Sequence, residues 1–256
     1  MTPLTGEIPV AGASEVGRAP RKIGILGGMG PLATADLYRK LILATPASRD
    51  QEHLPVVIDA DPRVPDRTAA LRGVGEDPLP ALVAGATRLR DAGAEVGLIV
   101  CNTAHAFLPA LRESVPLAFL DMIAETAARV AAEYPTVRRA GLLATRGTIE
   151  ARLYHRALKA HGVETLTLDA EAQEQLIDGA IALVKGGTAG SEPGERLAEA
   201  ARRLAVAGAE VVLAACTEIP LVLDAAMVPV PLLDPTQILA EAAVRAAREG
   251  ASTLIL

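Results

Sequence analysis

The sequence predicts an α/β protein: two similar α/β domains with parallel sheets, related by internal pseudo-twofold symmetry. Three observations lead there. Short apolar runs alternate with segments of 10 to 15 residues that carry helical periodicity, the pattern of strands joined by crossover helices. The stretch DAGAEVGLIVCNTAH (91–105) lines up with VAGAEVVLAACTEIP (206–220), so that Cys101 and Cys216 coincide, 115 positions apart. The same spacing carries Val115, Pro116 and Leu117 onto Val230, Pro231 and Leu232, and close to it KIGILGG (22–28) matches RAGLLAT (139–145) and Tyr38 matches Tyr154.

Each element follows from local pattern. KIGILGG is an apolar run closing on glycines, as in a buried parallel strand entering a turn. Residues 31–45 repeat apolar positions at helical spacing, with Pro31 at the start. VVIDA (56–60) is a strand, and the polar, Pro-rich stretch 61–80 reads as a loop of the kind that covers a site. A helix over 79–92 leads to a strand over 95–100, which puts Cys101 at that strand's C-terminal end. The second half gives a strand at 140–145, a helix at 148–160, a strand at 164–168 and a helix at 171–184. After the loop KGGTAGSEPG come a helix at 195–207, a strand at 211–215, a strand end at 232–234 and a last helix at 236–249. Residues 1–20 are polar and aperiodic and read as a flexible tail.

Composition narrows the function. With 256 residues the chain can bury a core without staples. A net charge of -6 argues against a basic nucleic-acid face. No apolar run approaches membrane-spanning length, and the start lacks the charged and apolar regions of a signal peptide, so a cytoplasmic protein is expected. Two cysteines without a CxxC pair cannot by themselves build a zinc site, so no metal is expected. None of the four lysines follows a pattern associated with a pyridoxal Schiff base.

The two cysteines carry the chemistry. In open parallel sheets ligands bind beyond the carboxyl ends of strands, where Cys101 and Cys216 both fall. If the two units face each other, the thiols oppose one another across a cleft. One thiolate could then remove a proton from a carbon acid while the other thiol returns one to the opposite face. Asn102, Thr103 and Thr217, with nearby backbone amides, could steady the charge that develops. Two buried core thiols, or a redox pair, are the other readings of the same residues. GGMGPLAT (27–34) is either a simple turn or a wall against the substrate, with Gly28 and Met29 as contacts. Arg63 and Arg67 could clamp a carboxylate or lie solvated on the surface. His105 could tune Cys101 or satisfy a local bond, and Glu218 could hydrogen-bond within its loop or cap the next helix.

KIGILGGMGPLATADLYRKL, RDQEHLPVVI, PDRTA, GEDPLP, CNTAHAF, GLLATRGT and CTEIP together resemble the aspartate/glutamate racemase family, most closely its cofactor-independent (PLP-independent) aspartate racemases. The resemblance runs from Lys22 to the C-terminus. It implies a PLP-free, two-base racemisation of an acidic amino acid with Cys101 and Cys216 as the bases, no cofactor, and an active site between two domains. It implies that Asn102, Thr103 and Thr217 bind the α-carboxylate, that Arg67 holds the distal carboxylate, and that Thr145 and Glu218 belong to the same site. The last helix is expected to return to the first domain, giving 21–121 plus 230–256 for the first and 122–229 for the second. A homodimer acting on a small acidic amino acid, with no nucleic-acid or membrane partner, is the implied form. One departure stands out. Members carry a lysine where AEAQEQL (170–176) places Glu174, a charge reversal that should weaken binding of a dicarboxylic substrate unless a neighbour such as Arg146 compensates. Maleate isomerases and hydantoin racemases share the scaffold and are the competing enzymes; a non-catalytic small-acid-binding protein is the third.

Overall fold

The computed structural model describes residues 19–187 and 190–248. The tail expected over 1–20 lies outside them except for its last two residues, as do the final eight residues of the chain.

The first unit is built from β1 (Ile23–Gly27), α1 (Pro31–Ala44), β2 (Val56–Ala60), α2 (Arg67–Leu71), α3 (Leu79–Asp91), β3 (Val96–Ile99), α4 (Leu108–Ser114) and β4 (Ala118–Phe119). Next come α5 (Met122–Glu133), β5 (Arg139–Ala144), α6 (Arg146–Glu150), α7 (Leu153–Lys159), β6 (Glu164–Leu166) and α8 (Ala170–Ala172). A π-helical segment (Gln173–Asp178) then leads into α9 (Gly179–Lys185), α10 (Ser191–Val206), β7 (Val211–Ala215), β8 (Leu232–Leu233) and α11 (Pro235–Arg248).

The strands form two all-parallel sheets with the same order, β2-β1-β3-β4 and β6-β5-β7-β8. The central strands β1, β3 and β7 are buried along their whole length, as expected for strands covered on both faces. In the first unit Ile23, Ile25, Val96 and Leu98 pack under α1 and α11, while Leu26 and Ile99 face α3 and α4. In the second, Leu142 and Leu213 pack with α5 and α7, while Leu143 and Val212 face α9 and α10.

The helices that follow the last strand of each sheet trade places. Helix α5 leaves β4 and buries Ile123, Ala127 and Val130 in the second unit. Helix α11 leaves β8 and buries Leu239, Ala243 and Ala247 in the first. Where they cross, Arg129 pairs with Glu241 (2.6 Å) and Arg245 with Glu125 (3.3 Å). The exchange ties the two units together at the pseudo-twofold axis and so fixes how the strand ends of one sheet face those of the other.

Several local expectations need correcting. The stretch 61–80 is not all loop, because Asp66 caps α2 by accepting the Ala69 N–H (2.7 Å). The helix expected over 148–160 breaks into α6 and α7 at Arg152, which takes a left-handed φ of 54°. Helix α10 starts at Ser191 rather than 195. No element was expected between 106 and 138, where α4, β4 and α5 lie; Ala-rich α5 shows no strand or turn signal that punctuates it. The boundary at 230 also moves. Strand β8, assigned to the first unit by that boundary, pairs with β7 in the second sheet, with Val212 opposite Leu232, and the chain crosses back only at α11.

Gly28, the residue just past β1, has a φ of +84°, and a Cβ there would collide with the backbone of Asp61. Both constraints oppose any side chain. Gly28→Ala is expected to cost at least about 2 kcal/mol, which a lowered thermal midpoint in calorimetry would register; an unchanged midpoint would show that the β1–α1 turn relaxes freely.

Candidate active site

Cys216 is the first residue beyond the carboxyl end of β7, and Cys101 is the second beyond that of β3, directly after Val100, whose N–H still bonds the Leu26 carbonyl (3.0 Å). Each has its back in the core of its own unit, and each is about one-twentieth exposed (6% and 5%). They are not sealed apart. Both line one narrow cleft between the units, together with Met29, Asp66, Arg67, Thr68, Asn102, Thr103, Thr145, Lys185, Thr217 and Glu218.

The two thiols have different surroundings. Cys216 donates a hydrogen bond to Glu218 Oε2 (3.0 Å), and the Thr217 hydroxyl donates to the same oxygen (3.1 Å). Burial pushes the Cys216 thiol well above its usual range, the Glu218 charge adds to this, and Lys185 partly offsets it. Cys216 therefore rests as a thiol with an acceptor for its proton already in place. Behind Cys101, His105 Nδ1–H donates to the Cys101 carbonyl (2.8 Å) and Nε2 accepts the Met122 N–H (3.2 Å). Burial lowers the His105 pKa, so the ring stays neutral and both its nitrogens are spent on backbone. Its place in the fold is the local-bond reading: it braces the loop and does not reach the cleft.

Hydroxyls bridge the units beside Cys101. The Thr103 hydroxyl lies 2.8 Å from that of Thr145 and 2.9 Å from that of Thr148, and Thr145 and Thr148 are 3.1 Å apart. Overhead, α2 presses on α6 so closely that a Cβ on Gly147 would lie 2.9 Å from Thr68 Cα. Helix α2 thus roofs the cleft and delivers Arg67, which is buried. The Arg67 guanidinium donates to the carbonyls of Val64 (3.0 Å), Pro65 (3.0 Å) and Met29 (3.4 Å), while its Nε has no partner among the described residues.

Other expected residues fall elsewhere. Gly28 lines an adjoining space with Gly30, Pro31, Leu32 and Pro62, and its N–H is taken by Thr34 Oγ1 (2.9 Å) rather than offered to a ligand. Arg63 points away, paired with Asp61 (2.8 Å). Arg146 pairs with Asp178 (3.4 Å) and more loosely with Glu174 (3.8 Å), and neither Arg146 nor Glu174 lines the cleft. Glu174 is 76% exposed along its side chain, so the charge reversal expected there does not face the cleft.

The cation of the second unit is instead Lys185, which sequence reasoning missed. It is the last residue of α9, and it lines both the cleft and the adjoining space. Burial pulls its pKa down, but the negative charge of Glu218 and of the thiols in their thiolate forms more than reverses this, so the net shift is upward. Its one local signal was a lysine ending a helical stretch just before Gly186–Gly187, in a chain with few lysines. Asp66, Thr68, Thr148 and Tyr154 were also missed. Among the described residues no group of three or more His, Cys, Asp or Glu side chains is arranged to hold a metal ion, and no described helix is long and apolar enough to cross a membrane.

Comparison with known proteins gives the family and the fold. The family described as Asp/Glu/hydantoin racemase matches residues 26–243. The chain is 27% identical over 227 residues to the broad specificity amino-acid racemase RacX of Bacillus subtilis, spanning 87% of this chain and 96% of that one. An aspartate racemase structure from Picrophilus torridus superposes with a TM-score of 0.79 at 28% identity, covering 89% of this chain and 94% of that one. Glutamate racemase from Francisella tularensis, at 17% identity and a TM-score of 0.65 over 87% and 79% of the two chains, shares the fold.

The proton state of Cys216 is testable directly. Burial is the main cause of the raised Cys216 pKa; replacing Glu218 by Gln removes the negative charge that adds to it, so the pH midpoint for iodoacetamide alkylation of Cys216, followed by peptide mass spectrometry, is expected to fall. Lys185→Met removes the opposing cation and should raise it. A midpoint indifferent to both changes would mean that neither group faces the sulfur.

Proposed function

We propose that this chain, which belongs to the Asp/Glu/hydantoin racemase family, interconverts the L and D forms of an acidic amino acid by two-base proton transfer between Cys101 and Cys216. The observation that carries this reading is the lining of a single cleft by both thiols, each at the tip of an equivalent strand.

The steps balance without a further reactant. The substrate's α-carbon lies between the sulfurs. One sulfur, as thiolate, takes the α-proton, and the electrons of the C–H bond move onto the α-carboxylate as an enediolate. The opposite S–H then protonates the carbon on its other face. The first sulfur ends as thiol and the second as thiolate, ready for the reverse direction. Glu218 lets Cys216 serve in both directions, because it can accept the thiol's proton across 3.0 Å. Neutral and cationic donors answer the developing charge: Asn102 and the threonine hydroxyls at the α-carboxylate, Arg67 and Lys185 at the distal one. Two cations lining one cleft, Arg67 with its Nε unpartnered among the described residues and Lys185 with its pKa raised, favour a substrate with two carboxylates over one with a single carboxylate.

A wider substrate range is a second reading. Beyond Arg67 and Lys185 the adjoining space is lined by Pro31, Leu32, Val184 and Leu221, which suit an apolar side chain, and the Bacillus relative is described as broad in specificity. A panel of amino acids in deuterated water, scored for α-deuterium and for inversion, separates the two readings.

Cys101→Ala and Cys216→Ala are each expected to lower racemisation by at least about a thousandfold while leaving the thermal midpoint near that of the parent; full racemisation by either variant would end the two-base assignment. Lys185→Met should raise KM for aspartate at least about tenfold, the scale of one lost charged contact. Glu174→Lys should leave it unchanged, and the opposite ranking would put the distal-carboxylate contact at the wrong residue.

A further inference from the structure

The Asn102 side chain is held from the opposite unit. Asn102 is 2% exposed and follows Cys101 at the end of β3. Its Oδ1 accepts a 2.6 Å hydrogen bond from the hydroxyl of Tyr154, a fully buried residue of α7. Its Nδ2 has no partner among the described residues, and the residue lines the cleft. A buried amide N–H left unpaired is costly, which is the state expected of a donor kept for a ligand.

Which end of the amide faces the cleft depends on what grips the other end. The two ends of a carboxamide are nearly equal in shape, so only hydrogen bonding sets its orientation. The neighbouring Thr126 hydroxyl donates to the Met122 carbonyl (2.7 Å), which leaves the phenol's single proton for Asn102. Burial keeps that phenol protonated. With the amide turned over, a carbonyl oxygen would confront the substrate's carboxylate and repel it.

We propose that Tyr154 is a positioning residue for the racemase reaction: through the 2.6 Å bond across the domain boundary it holds the Asn102 amide with Nδ2 toward the α-carboxylate beside Cys101. The device exists on one side only. Tyr38, its counterpart in the repeat, lines an outer groove with Leu41, Ile42 and His53. Thr217, the counterpart of Asn102, spends its hydroxyl on Glu218. The link also makes a correct Asn102 conditional on the second unit being docked, because its anchor belongs to that unit.

The proposal rests on the racemase reading, and the test separates the two. Asn102 is the one asparagine in the chain, so selective [15N]asparagine labelling yields a single side-chain amide pair in the spectrum. In the parent protein that pair is expected to move on addition of L-aspartate. In Tyr154→Phe it should already be displaced, with its response to aspartate reduced severalfold, while kcat falls about tenfold at little-changed KM, less than the loss expected for removing an oxyanion donor outright. The double variant Tyr154→Phe/Asn102→Ala should be no slower than Asn102→Ala alone. Asn102→Asp keeps the acceptor for Tyr154 but has no N–H for the cleft, so it should fold and lose activity; it decides the matter if Tyr154→Phe does not fold. An Asn102 signal unaltered by Tyr154→Phe, additive losses in the double variant, or full activity in Asn102→Asp would each overturn the proposal. Absence of α-proton exchange in the parent would instead sink the racemase reading, and the amide spectrum would still report whether Tyr154 orients Asn102.

Discussion

The structure depends on one constraint: two parallel sheets of identical order must present the carboxyl ends of their central strands to each other. A parallel strand gives up its ladder hydrogen bonds at that end and turns toward a helix, so polar side chains and backbone donors collect there. Doubling the sheet and facing the copies brings two such ends to one cleft. The reciprocal exchange of α5 and α11 enforces the facing, since neither unit can complete its core without the helix that grows out of the other. Cys101 and Cys216 then come to line one cleft as a consequence of packing.

Near-symmetry in the backbone does not extend to the chemistry. Cys216 has a carboxylate acceptor and a cation close by, whereas Cys101 is backed by a neutral histidine that braces its loop. Asn102 has an anchor in the other unit, whereas the Thr217 hydroxyl donates to Glu218 of its own unit. A racemase must treat mirror-image substrates with equal kcat/KM, because its equilibrium constant is unity. Under the proposed two-base reaction, the two directions could still differ in how tightly each enantiomer binds and how fast it reacts, and an unequal pair of thiols would set that difference.

Much of this was legible in sequence because it is local. Strands buried on both faces read as short apolar runs, and the residue after each run is at the strand tip. The alignment of DAGAEVGLIVCNTAH with VAGAEVVLAACTEIP therefore locates both thiols, and the polar residues just after them, from sequence alone. Arg67 could be nominated from its loop, but not separated from Arg63, because only the capping of α2 by Asp66 turns one inward and leaves the other on Asp61. Helices with an alanine-rich face give weaker signals, and α5 passed without one.

The order of strands and helices, the duplication and the places of Cys101 and Cys216 were thus determined by the sequence alone, since each reflects hydrophobic periodicity within a dozen residues. The tertiary structure decided which cation enters the cleft and what orients the amide beside the thiol. A π-helical segment ahead of α9 sets the phase of the helix that ends in Lys185, while Glu174, within that same segment, is turned to solvent. Tyr154 reaches Asn102 from 52 residues away across the domain boundary. Side-chain direction over such distances is settled by how rigid layers dock, and docking is a property of whole surfaces that no local pattern records.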